Sequence, residues 1–367
     1  MASDQDSPSA VSELYVCGYR SIRNLRLKLD RVNVLVGPNG CGKTNLYQSM
    51  VLLSAAAQGQ LARALAEEGG MPSVLWAGPR KKGPVRLVLG FSTGDFHYEL
   101  QCGLPVPGMS MFNLDPEVKE EHIWFTYRGK KAALLERDHG SVRARNAEGV
   151  FEAYPMALSN SESVLSQLRE PHRFPELSML RQQILSWRFY HHFRTDREAP
   201  LRQPQVGVRT TVLSHDGRDL AAALQTIVEI GDRVGLDEAI GKAFPGSSVE
   251  VVAPENRFSV LMQMPGVQRP FEARELSDGT LRYLCLLAAL MSPRPPDLLA
   301  LNEPETSLHP NLFEPLAALI GRAARDSQVW ITTHSQALAG YLARDLAITP
   351  TQLCNIDGET WIGAQPV

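Results

Sequence analysis

The chain has 367 residues, 44% of them hydrophobic and 21% charged, and a formal net charge of -3. These values describe a globular chain long enough for roughly two or three domains, with no global charge to recruit nucleic acid or anionic membrane. The longest apolar run, residues 284–291, is too short for a membrane span, which needs ~20 residues. The polar start, residues 1–9, has no signal-peptide pattern, so a cytoplasmic protein without a membrane partner is expected. Five cysteines, odd in number and never spaced CxxC, argue against a disulfide framework or a zinc site.

In chain order, residues 11–19 and 25–29 are expected to be two short strands joined around Arg20-Ser21-Ile22-Arg23. The apolar run 32–36 then leads into GPNGCGKT, residues 37–44, and a helix with apolar spacing from Asn45. That helix is expected to continue, broken, through 55–68 to Gly69-Gly70. Alternating strands at 85–91 and 96–101 flank Thr93-Gly94-Asp95, and further strands are expected at 122–127 and 132–137. Residues 161–193 have helical spacing, and 193–209, rich in Pro and Arg, suits an extended connector. Helices follow at 220–230 and 236–244, then strands at 249–253 and 258–264. In the last third, ELSDGT (275–280) precedes an apolar helix at 281–291. Buried-type strands at 297–303 and 328–335 end in polar residues, a helix spans 312–324 between them, and a small hairpin closes 348–362.

The stretch 37–44 fits GxxxxGK(S/T) at every fixed position. Gly37, Gly40 and Gly42 let the backbone turn its N–H groups inward, and the helix starting near Lys43 adds the positive end of its dipole. A polyphosphate is the matching guest. Lys43 would reach its terminal phosphates, and the Thr44 hydroxyl would ligate Mg²⁺. Ser277, ahead of another helix, offers either a second anion site or a simple helix cap.

Four motifs in this order, GPNGCGKT, LSDGT, the strand ending Asn302-Glu303 with EPETSLHP, and TTHS ending in Ser335, resemble ATPases of the ABC class, in particular their RecF-like and SMC-like branch. The resemblance implies an α/β fold: a P-loop NTPase head of the ABC type with a mixed central sheet, an antiparallel β subdomain and an α-helical subdomain. The corresponding limits are residues 1–70 for the N-terminal strands and first helices, 71–160 for the β insertion, 161–275 for the helical part and 276–367 for the remaining motifs. It also implies that Gly37, Pro38, Asn39, Gly40, Cys41, Gly42, Lys43, Thr44 and Asn45 bind ATP. Ser277 and Gly279 would contact the γ-phosphate held by a second copy, giving a head-to-tail homodimer. Glu303 takes the place of the catalytic glutamate and His334 that of the γ-phosphate-sensing histidine, with Lys43 completing the catalytic set. Thr44, Asn302 and Gln167 take the places of Mg²⁺ ligands. Asn302 stands where an aspartate is usual, which predicts weak Mg²⁺ affinity or slow turnover. His309 is expected to serve the loop after Glu303, since no His or Cys lies at ligand spacing.

The implied activity is ATP hydrolysis that switches a dimer, in DNA repair, genome maintenance or phage defence, on double-stranded DNA or a partner effector protein. The alternative is the ATPase subunit of a membrane transporter, or a regulator of an effector without DNA contact. Arg194, Arg197, Arg202 and Arg209, with the smaller groups Arg80-Lys81-Lys82 and Arg128, Lys130, Lys131, could contact phosphate backbones or remain solvated or subunit-facing.

Overall fold

A computed structural model describes residues 9–79, 85–127 and 129–363. The chain runs through β1 (Glu13–Tyr19), β2 (Ile22–Lys28), β3 (Val32–Val36), α1 (Lys43–Gln58), α2 (Leu61–Glu67) and α3 (Met71–Val74). It continues with β4 (Leu87–Ser92), β5 (Phe96–Gly103), β6 (Glu117–Tyr127), β7 (Lys130–Asp138), β8 (Ser141–Arg145), β9 (Phe151–Ala153), α4 (Val164–Gln167) and α5 (Pro175–Ser186). Then come β10 (Arg188–Tyr190), β11 (Gln205–Val206), α6 (Leu220–Ile230), α7 (Arg233–Ala243), β12 (Ser248–Val252), β13 (Arg257–Gln263) and β14 (Phe271–Glu272). The last elements are α8 (Asp278–Leu290), β15 (Leu298–Asn302), α9 (Phe313–Ala323), β16 (Gln328–Thr333), α10 (Gln336–Leu346), β17 (Thr351–Ile356) and β18 (Glu359–Ile362). They form two compact units, Met1–Trp187 with Thr351–Val367, and Arg188–Pro350.

In the first unit an antiparallel sheet runs β2-β1-β4-β5-β6-β7-β8-β9. Its first pair follows from alternation: Ile22, Leu25 and Leu27 are buried while Arg23, Arg26 and Lys28 face out, and Arg20 at φ 46 makes the turn. The N-terminal strands and the strands of the expected insertion are thus one sheet, because β1 pairs with both β2 and β4. The helix after the glycine loop stops at Gly59, whose φ of 75 closes α1 with a left-handed cap before α2 begins. Strand β3 pairs in parallel with β17, and β17 pairs antiparallel with β18, so the C-terminal hairpin flanks the strand that delivers the glycine loop.

Under the large sheet lies a buried polar network. Glu121 accepts hydrogen bonds from Tyr98 (2.9 Å), Ser163 (2.5 Å) and the Val164 amide (2.8 Å), with Arg137 at 3.9 Å. It caps α4 and ties that helix to β5, β6 and β7.

In the second unit β10, β15 and β16 are parallel, and β15 and β16 are buried at every residue, as continuous apolar strands covered on both faces must be. Helix α8, apolar through Leu281, Leu284, Leu287 and Leu290, is buried along most of its length. A smaller antiparallel sheet joins β11, β13, β12 and β14. Strand β10 lies within the stretch expected to be helical, and α10 follows β16 where no element was expected.

Candidate functional site

The glycine loop is shaped by its neighbours within the first unit. Gly40 and Gly42 have φ of 79 and 100, which L side chains rarely adopt. A Cβ on Gly42 would sit 2.0 Å from Thr360 Oγ1, and one on Gly37 would sit 2.4 Å from the Leu353 carbonyl oxygen. The hairpin β17–β18 therefore leaves space for glycine alone at both positions. Thr360 is fixed in turn: its Oγ1 shares a 2.7 Å hydrogen bond with Ser21 Oγ, which accepts from Asn45 Nδ2 at 2.7 Å. Cys41 is buried, while Pro38, Asn39 and Gly40 are exposed.

Lys43 is buried and its Nζ donates to the carbonyls of Gly37 (2.6 Å) and Pro38 (3.0 Å), so a cation is lodged inside the turn of the loop. Thr44 is exposed, and no side chain caps the N-terminus of α1. Phosphate oxygens fit this cradle, and the free Thr44 hydroxyl fits Mg²⁺. Gln167 is otherwise engaged. Its Oε1 accepts from the Ser159 amide at 2.7 Å, and its Nε2 donates to the carbonyls of Ser159, Glu162 and Ser163. Serving as a metal ligand would require breaking that local turn.

The second unit gathers a different set. Glu303 follows β15 at φ 49, a left-handed conformation that costs a non-glycine residue on the order of 1 kcal/mol or more, and its amide donates to the Thr332 carbonyl at 2.8 Å. At the end of β16, His334 Nδ1 lies 3.9 Å from Glu303 Oε1 and 3.2 Å from Glu305 Oε1. Glu305 was not singled out from sequence, yet its side chain organises this cluster. It is buried, and Oε1 accepts from Thr333 Oγ1 (2.5 Å), the His334 amide (3.0 Å) and the Ser335 amide (3.2 Å). Its placement two residues after Glu303 was the available signal. Arg282, also missed, is buried on α8 and donates to the Glu303 carbonyl at 3.2 Å. Desolvation holds its guanidinium below the usual range, against the opposing pull of Glu305 and Glu303.

Asn302, at the end of β15, is buried. Its Oδ1 accepts from Thr332 Oγ1 at 2.6 Å and its Nδ2 lies 2.7 Å from His191 Nδ1. One lone pair of Oδ1 remains for a cation.

Ser277 caps α8, its Oγ accepting from the Thr280 amide at 3.1 Å. A Cβ on Gly279 would come within 2.7 Å of the Ser307 carbonyl oxygen, so the turn packs against the loop after Glu303, where Ser307 has φ 65. His309 caps the short turn Pro310–Leu312 through the Asn311 amide. Among the arginines considered for phosphate contacts, Arg202 is corrected: its side chain is 8% exposed and bonded to backbone carbonyls and to Asp278. Arg194 pairs with Asp196, and Arg209 with Glu229. Lys131 lies over the Trp124 ring. Arg80, Lys81, Lys82 and Arg128 lie outside the described residues.

A glycine loop between strand and helix in one unit, with acidic and histidine side chains at parallel strand ends in the other, defines an α/β protein of the P-loop ATPase class. Residues 32–340 match the family described as "AAA domain, putative AbiEii toxin, Type IV TA system", and the chain belongs to that family. Among solved structures, the chain is similar to an Smc head bound to the C-winged helix domain of ScpA, with TM-score 0.56, 12% identity and coverage of 96% of this chain and 97% of that one. It is also similar to an Smc head with an extended coiled coil bound to the C-terminal domain of ScpA, from Pyrococcus furiosus, with TM-score 0.52, 12% identity and 96% of both chains covered. At this identity the likeness is one of fold, that of an Smc head. No curated protein matches the sequence.

Proposed function

We propose that the chain is an ATP-driven molecular switch. Residues 37–45 bind ATP, Glu303 and His334 act in its hydrolysis, and two copies close head to tail, with Ser277 and Gly279 of each meeting the γ-phosphate held by the other. The convergence of Glu303, Glu305 and His334 at the carboxyl ends of neighbouring parallel strands carries this reading, since that is where such sheets present reactive groups.

In this account Glu303 orients water and accepts its proton, a role worth about 10² to 10⁴ in rate. Glu305 orients the His334 ring by facing Nδ1, which leaves Nε2 for the phosphate. Lys43 binds the terminal phosphates. Thr44 in the first unit and Asn302 in the second are each proposed as a Mg²⁺ ligand, and the ion would supply charge that stabilises phosphate oxygens. Turnover of Glu303→Gln is expected to fall at least ~100-fold with ATP binding retained; undiminished turnover would contradict the assignment.

The proposed setting is cytoplasmic, in genome maintenance, DNA repair or phage defence, with double-stranded DNA as the target of the closed dimer. No helix among the described residues is long and apolar enough to cross a membrane. A partner effector protein is the second reading. It is favoured by the loop between β5 and β6, where Val106, Met109, Met111 and Phe112 are exposed. Binding to double-stranded DNA that requires ATP and weakens with salt supports the first; ATP-dependent closure without DNA binding supports the second.

A further inference from the structure

The turn that opens α8 carries a carboxylate, Asp278, directly after Ser277, and its side chain is 62% exposed. An acid here suits the helix dipole but opposes the approach of a phosphate. Arg202 answers this charge. Its Nη2 donates to Asp278 Oδ1 at 2.6 Å, Nη1 to the carbonyls of Ala273 (3.1 Å) and Leu276 (2.8 Å), and Nε to the Thr195 carbonyl (2.9 Å). With one face of the guanidinium committed to backbone and only 8% of the side chain exposed, the cation is fixed rather than free to swing toward solvent.

We propose that Arg202 is a positioning residue for the α8 turn: anchored by the carbonyls of Ala273 and Leu276, it neutralises Asp278 so that Ser277 and the first amides of α8 can receive an anionic phosphate from a second copy. This deepens the proposed switch and rests on it. It also explains how a chain with an acid in this turn retains a phosphate-binding surface, and it assigns to Arg202 a role inside the ATP cycle rather than on DNA.

The test uses the full chain carrying Glu303→Gln to block turnover, with dimerisation by analytical ultracentrifugation and binding of a fluorescent ATP analogue to the monomer measured separately. Arg202→Gln is expected to weaken ATP-dependent dimerisation about tenfold or more, the scale of one lost charge interaction, while monomer binding of the analogue stays within twofold. Adding Asp278→Asn to Arg202→Gln is expected to restore most of the loss, which a merely structural role for Arg202 would not allow. Dimerisation unchanged in Arg202→Gln, or no recovery in the double variant, overturns the proposal. Should Arg202→Gln fail to fold, Asp278→Asn alone decides: it is expected to tighten dimerisation, because the fixed cation is then uncompensated, and an unchanged or weaker dimer overturns the proposal. If the Glu303→Gln parent itself remains monomeric with ATP while binding the analogue, the switch reading fails first and takes this inference with it.

Discussion

The amide of Asn302 is held at both ends, its oxygen by Thr332 and its nitrogen facing His191 Nδ1, so the ring nitrogen must accept. Desolvation, then the neighbouring His192, holds His191 below the usual histidine range, which suits a neutral acceptor. An aspartate at this position would add a charge worth on the order of 3 kcal/mol to a cation ~5 Å away at an effective dielectric near 20. Asn302→Asp is therefore expected to lower the Mg²⁺ concentration that half-saturates ATPase activity; superimposable Mg²⁺ titrations would refute this. Glu305 acts at the same scale by structure rather than charge alone. Glu305→Ala removes the acceptor of two backbone amides and the Thr333 hydroxyl, and is expected to cost about 2 kcal/mol or more of unfolding free energy in urea. The strand-end positions of Asn302, Glu303 and His334 were legible from the apolar runs before them, while their proposed roles come from the resemblance. The contacts of Glu305, Arg282 and His191 were not legible, since their partners are separated from them in sequence.

At the scale of elements, the glycine loop depends on a hairpin more than 300 residues further along the chain. Gly42→Ala puts a Cβ against Thr360 and forces a left-handed φ on alanine, so it is expected to abolish ATP-analogue binding. Retained binding would mean that the β17–β18 contact does not shape the loop. The network around Glu121 makes a second prediction. Burial raises the Glu121 pKa above 4.5, with hydrogen bonds from Ser163 and Val164 and the Arg137 charge opposing it. A raised carboxylate pKa means that the folded state binds the proton more tightly. Its contribution to stability is then full below the unfolded pKa and lost as pH rises through the folded one. The unfolding free energy of the natural chain minus that of Glu121→Gln should fall as pH rises from about 4.5; a difference constant with pH would refute it. Most strands and helices were legible from alternation and three- to four-residue spacing. Strand β10 was not, because three residues carry no period and its parallel pairing with β15 is remote in sequence. Nor was the continuity of β1 with β4, which joins the N-terminal strands and the expected insertion in one sheet.

Over the whole molecule, the four motifs fall into two units, the glycine loop in the first and the LSDGT turn, Asn302-Glu303 and His334 in the second. Their order along the chain made the class legible before any geometry, since residue spacing alone distinguishes an ordered set from a chance glycine loop. The proposed switch requires a second copy whose bound phosphate meets Ser277, beyond the helix-capping bond that Ser277 makes within its own chain. The direct test is the mass of Glu303→Gln in solution, measured by analytical ultracentrifugation with Mg²⁺ and with or without ATP. The account predicts a monomer without nucleotide and a dimer with ATP, lost again in Ser277→Arg. A chain that binds ATP yet stays monomeric in every condition would contradict it.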